Sequence, residues 1–155
     1  MKCQAVRWSL KYWIFRDNLF DTQNMSTIFT KIVKGEIPAY KVAENDHYLA
    51  FLDISPLAPG HTLVIPKVEV DYIFDMERDH YSGLWAFAQQ VSLAVKKAVP
   101  CKRVGVAVIG LEVPHAHIHL IPMNKVSDMN FANPKLTLPK EEMERLSMLI
   151  SEAFH

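Results

Sequence analysis

Three of the chain's seven histidines fall within five residues, at positions 115, 117 and 119 of the run Pro114-His115-Ala116-His117-Ile118-His119-Leu120-Ile121-Pro122. On an extended segment side chains alternate between faces, so the three imidazoles share one side while Ala116, Ile118 and Leu120 take the other. Successive rings then stand roughly 6–7 Å apart, two strand rises, close enough to surround one small anion. Three chemistries fit such a cluster. The rings can be structural, hydrogen-bonded or facing solvent. Two histidines at i and i+2 also suit zinc or iron, but further ligands are needed, and the nearest acids are Glu112 and, in an expected loop, Asp128. The third is attack on phosphorus, in which a neutral imidazole forms the new bond while its neighbours orient it and shuttle protons.

The surrounding pattern describes the scaffold for this run. Ser26 is placed to cap a short helix carrying Ile28, Phe29, Ile32 and Val33, with Gly35 at its stop. Strands are expected over 40–44 and 47–52, joined by Asn45-Asp46, and over 61–66. Between the last two, residues 53–60 contain Pro56 and Pro59, which stiffen the chain and deny it helix or ladder. Leu84, Phe87, Ala88, Val91 and Val95 recur at helical spacing over 79–98, ended by Pro100. Strands over 103–109 and 115–121 follow, and Leu138-Pro139 opens a final helix with Met143, Leu146, Ile150 and Phe154 on one side. This succession predicts one α+β domain: an antiparallel sheet of about five strands with two main helices.

Composition narrows the function classes. In 155 residues, 17 basic side chains balance 17 acidic ones, so binding of nucleic acid by bulk electrostatics is not expected. Half the residues are hydrophobic, which excludes a disordered chain. No apolar run reaches the ~18–20 residues of a membrane span, and no membrane partner is expected. Two cysteines, Cys3 and Cys101, make no disulfide framework and point to a reducing, cytoplasmic setting.

The run His115-Ala116-His117-Ile118-His119-Leu120-Ile121 resembles the motif of the histidine triad (HIT) family, His-φ-His-φ-His-φ-φ. The likeness extends to Ser26-Thr27-Ile28-Phe29, Gly35-Glu36-Ile37-Pro38, Ala50-Phe51-Leu52-Asp53-Ile54-Ser55-Pro56 and Ala58-Pro59-Gly60-His61-Thr62-Leu63-Val64-Ile65-Pro66-Lys67, which look like the Hint branch of nucleoside phosphoramidate hydrolases. The resemblance implies that His117 attacks the α-phosphate of a nucleoside 5′-phosphoramidate or related conjugate, forming a nucleotidyl-histidine that water then releases. It implies that His119 or His61 delivers a proton to the leaving group and that His115 orients the nucleophile. Asp53 matches the position that accepts from the ribose hydroxyls. Ile28, Phe29, Ile32, Leu52 and Ile54, with Val113 beside the triad, resemble the apolar pocket for a purine base. The resemblance further implies a homodimer that joins two sheets into one, and it calls for no metal and no other cofactor. Cleavage of dinucleoside polyphosphates, the chemistry of a sister branch, and a nucleotide-binding scaffold role with weak catalysis are the alternatives.

The chain departs from the family pattern before the triad. Many members carry a longer Gly-rich turn ending in Gly-Gln and a Ser or Thr that binds phosphate; here Leu111 stands for Gln and Glu112 for the hydroxyl. A second departure precedes the likeness itself. Residues 1–24 hold four basic and two acidic side chains and the aromatics Trp8, Tyr12, Trp13, Phe15 and Phe20, without a steady period. They read as an extension outside a domain spanning residues 25–155, with Met25 as the natural start. The mass of the protein isolated from its own cells tests this: an N-terminus at residue 25 is expected, and one at residue 1 contradicts it.

Overall fold

The computed structural model describes residues 26–154, so the expected extension and the start at Met25 lie outside the described residues. Five strands form one antiparallel sheet: β1 (Lys41–Glu44), β2 (Tyr48–Leu52), β3 (Thr62–Pro66), β4 (Arg103–Ala107) and β5 (Ile118–Met123). Their order is β1-β2-β3-β5-β4, so the histidine-bearing strand sits between β3 and β4. Three helices complete the fold: α1 (Ile28–Val33), α2 (Arg78–Ala98) and α3 (Lys140–Phe154). The α+β architecture matches the one expected from the pattern.

Burial explains the layering. The five residues of β2, Tyr-Leu-Ala-Phe-Leu, are all buried, because both faces of the sheet are covered there. Tyr48, Ala50 and Leu52 pack with Val64, Ile118 and Leu120 against Leu84, Phe87 and Val91 of α2 and Leu146 and Ile150 of α3. Leu49 and Phe51 face the other way and meet Phe29 and Ile32 of α1, together with Leu63 and Ile65. The histidines lie on this second face. In β1, a register shift between Lys41 and Ala43 lets the neighbours Val42 and Ala43 both turn inward.

Several boundaries differ from the sequence expectation, each for a local reason. Thr27, not Ser26, caps α1, its Oγ1 accepting the Thr30 N–H at 3.1 Å. Residues 45–48 form the turn before β2: the Asn45 side chain accepts the N–H groups of His47 (2.9 Å) and Tyr48 (2.8 Å), which delays the strand to Tyr48. β4 ends at Ala107, short of Ile109. The largest difference concerns the triad, because β5 begins only at Ile118. The β3 ladder ends at the pair Val64–Ile118 and the β4 ladder at Ala107–His119, leaving earlier residues no strand on either side. His119 therefore belongs to the sheet, whereas His115 and His117 lie in its lead-in. That lead-in is held by Ala116 N–H donating to the Val70 carbonyl (2.6 Å) and His115 N–H to Val113 (2.8 Å).

Candidate active site

The loop before β3 places two of the site residues. Its ends are tied by the Asp53 N–H donating to the His61 carbonyl at 2.9 Å. Gly60 closes it with φ +81°, and a Cβ there would come within 2.7 Å of Val99 Cγ2, so glycine is required. The loop thus sets the Asp53 carboxylate beside the His61 ring. Four imidazoles gather at this place, with His115 0%, His61 1%, His117 7% and His119 8% exposed.

Main-chain partners fix which nitrogen of each ring carries the proton. A carbonyl accepts only, so His117 Nδ1, 2.7 Å from the His115 carbonyl, is the protonated atom, and Nε2 of the neutral ring keeps its lone pair. His61 is set the opposite way. The Leu57 N–H donates to its Nδ1 (3.1 Å), so Nε2–H donates to His119 Nδ1 at 3.0 Å. His119 consequently carries its own proton on Nε2. The His117 and His119 rings meet edge to face, centroids 4.8 Å apart, and both line one cavity. The Asp53 carboxylate approaches His61 Nδ1 to 3.6 Å. That nitrogen is already an acceptor, and the contact is no ion pair.

Burial lowers the basicity of three of the rings, His61, His119 and His115. It pushes His61 down to about 3, helped by the positive charge of Lys135 and the neighbouring His117. His119 is likewise pushed down to about 3, by burial first and then by His117 and His61, with Asp53 opposing. His115 is lowered by burial, against the opposing influence of its bond to Pro66 and the charge of Glu69.

His115 is the anchor of the group. Its Nε2–H donates to the Pro66 carbonyl (2.8 Å), which leaves Nδ1 to accept the Thr27 hydroxyl at 3.0 Å. The Glu69 carboxylate in turn accepts the Thr30 hydroxyl and, at 3.2 Å, the Thr27 N–H. Phe29 of α1 lies edge-on to both His115 and His117, with centroids 5.8 and 5.2 Å away.

A cavity of about 250 Å³ opens over the rings, lined by Asp53, Ser55, Ile109, Gly110, Leu111, Glu112, His117, His119, Phe131 and Lys135. Of the residues singled out by sequence, Asp53, His117 and His119 line it directly, with His61 behind His119 and His115 behind His117. Ile28 and Val113 border an adjoining depression that shares Glu112 with the cavity. Phe29 and Ile32 are buried beneath it. Leu52 and Ile54 are not brought to the cavity. Alternation along β2 sends Leu52 to the helix-covered face of the sheet, and Ile54 is 74% exposed in the loop. Lys67, the last residue of the segment that resembles the family, pairs with Glu44 at 2.8 Å.

Sequence reasoning passed over Phe131, Lys135 and the Thr27–Thr30–Glu69 group. The first two lie in an aperiodic stretch that shows only turn residues. The third was missed because the cap of the first helix was expected at Ser26 and because Glu69 lies 42 residues from Thr27. Asp53, His61 and His119 offer ligand atoms within 4.8 Å of one another. A cation there would have to displace the hydrogen bonds that already occupy both nitrogens of His61.

Comparison with known proteins gives the family of the chain and relatives of the same fold. Residues 34–126 match the family model described as HIT domain. An uncharacterized HIT-like protein of Borreliella burgdorferi is 39% identical over 132 residues, covering 80% of this chain and 95% of that one. Adenosine 5′-monophosphoramidase hnt1 of Schizosaccharomyces pombe is 34% identical over 133 residues, 82% of this chain and 97% of the relative. Among solved structures, a Hit-like protein from Bartonella henselae superposes with TM-score 0.73 at 32% identity, covering 84% and 96% of the two chains.

The neutral rings predict how stability varies with pH. Between about 6.5 and about 3, unfolded His61 and His119 bind protons that the folded protein refuses. Stability therefore falls as pH drops through that window, by up to about 1.4 kcal/mol per pH unit for each ring. Urea midpoints measured from pH 7.5 to 5 should decline, and His61→Gln should decline less steeply. Parallel slopes in the two proteins would contradict the assignment.

Proposed function

The chain belongs to the HIT domain family, and on that premise we propose that it hydrolyses nucleoside 5′-phosphoramidates or related nucleotidyl conjugates at the α-phosphate through a nucleotidyl-His117 intermediate. The observation that carries this reading is the pair of rings His117 and His119 on the wall of one cavity, with His117 Nδ1 held by the His115 carbonyl and His119 Nδ1 by His61. The relative named as an adenosine 5′-monophosphoramidase supports the substrate class.

In the proposed reaction the nucleotide's phosphate lies over the two rings, with its ribose hydroxyls donating to Asp53 Oδ2, the oxygen 3.6 Å from His61 Nδ1. The other oxygen is engaged by the Ser55 N–H at 2.9 Å. His117 Nε2 bonds to phosphorus, and the phosphorus–nitrogen bond to the leaving group breaks. The departing nitrogen takes the Nε2 proton of His119, and a proton drawn in as the negative phosphate enters replaces it at Nδ1, where the bond from His61 Nε2–H gives way. The positive charge that develops on His117 is stabilised through Nδ1–H by the His115 carbonyl, already in place. Water then attacks phosphorus and gives its proton to the now neutral His119. The bond to Nε2 breaks and its electron pair returns to the ring, releasing the mononucleotide. One difficult displacement is thereby divided into two.

His117→Ala should lower release of AMP from adenosine 5′-phosphoramidate by roughly 10³-fold or more. Acid-quenched wild-type protein should carry one nucleotidyl group on the peptide containing His117, and turnover should persist in EDTA. Undiminished activity in the variant, or label on another residue, would reject the mechanism.

A further inference from the structure

Residues 130–136 bring Phe131 and Lys135 to the cavity wall and are tied down at Asn133 and Leu136. The Asn133 side chain donates to the Ser127 carbonyl (2.8 Å), Asn130 Oδ1 accepts the Ala132 N–H (2.9 Å), and the Leu136 N–H donates to Pro56 in the Asp53 loop (2.9 Å). This strap presses the Phe131 ring edge-on against His119, with centroids 5.0 Å apart. It also delivers Lys135 to the cavity wall.

The charges there are unbalanced in an informative way. Asp53 and Glu112 border the cavity, and His119 is held neutral. A phosphoryl group would add negative charge beside two carboxylates, which costs energy unless a cation is close. Lys135 is the lysine or arginine among the lining residues. Its Nζ donates to the Phe131 carbonyl at 3.1 Å and lies 5.0 Å from the centroid of that ring. Among the described residues it enters no salt bridge. One carbonyl and one ring face form a weak, exposed resting place for a strongly hydrated ammonium with three rotatable donors.

We propose that Lys135 is the cationic group that binds the phosphoryl anion, its Nζ turning from Phe131 to the phosphate when a nucleotide enters. The site then selects a 5′-nucleotidyl anion over the uncharged nucleoside. This inference rests on the nucleotide reading of the cavity and extends it to a residue outside the triad. It has a consequence for the proton relay. The unpaired charge of Lys135 contributes to keeping His61 and His119 neutral. Pairing it with phosphate removes that influence as His119 takes up a proton at Nδ1.

Calorimetry with AMP and with adenosine tests the proposal on the full chain, using wild type, Lys135→Met and Lys135→Arg, each checked for an unchanged unfolding midpoint. Expected is a loss of roughly tenfold in AMP affinity for Lys135→Met, the order of one charge-assisted hydrogen bond. Adenosine binding should be unchanged, and Lys135→Arg should restore most of the AMP affinity. Equal losses for both ligands, or no loss for AMP, overturn the role of Lys135 while leaving the nucleotide reading intact. Wild-type protein that binds neither ligand overturns the nucleotide reading, and this inference with it.

Discussion

The hydrogen bond from His117 Nδ1 to the carbonyl of His115, 2.7 Å long, exists because the chain at that point is a bend leading into β5 and not yet part of the sheet. Inside a central strand the carbonyls are committed to neighbours on both sides. Just before β5, with no strand partner at residue 115, the carbonyl is free to accept from a side chain two residues on. That bond chooses the tautomer, and the tautomer decides which nitrogen is left as a base. Most of the site can be read as a means of keeping His115 still.

Four rings buried at one place impose a strict demand, since buried polar groups must find partners. The demand is met by hydrogen bonds that give each ring a fixed partner. His61 takes its proton partner from one loop and passes a donor to His119, while His115 spans Pro66 and Thr27. Each ring is held in one orientation by a main-chain atom or by a ring so held. The cost appears in the lowered basicity of His61 and His119, both at about 3. Keeping a group neutral until an anion arrives is what a proton relay at phosphorus needs, so the cost and the proposed function have a common origin.

Much of this was legible in the sequence wherever the cause is local. The close spacing of the three histidines announces that they gather, although only His119 lies on a strand, and the two prolines of residues 53–60 announce a rigid loop. Leu84, Phe87 and Val91 mark the buried side of α2 through their spacing. What escaped depends on contacts between distant segments. Glu69 reaches Thr27 across 42 residues, and Phe131 reaches His119 only because the strap is pinned to Pro56. Leu52 shows how a correct strand can still mislead: its position beside Asp53 suggests the cavity, but parity along β2 assigns it to the helices. The start of β5 was likewise a tertiary matter, set by where β3 and β4 stop.

Everything proposed for the site turns on the proton of His117, which can be observed without any substrate. Nitrogen-15 correlation spectra of the histidine rings in the labelled protein near neutral pH report it directly. His117 should show a protonated Nδ1 and an unprotonated Nε2, and His119 the reverse. A proton on Nε2 of His117, or tautomers averaging as in free imidazole, would contradict the site as described.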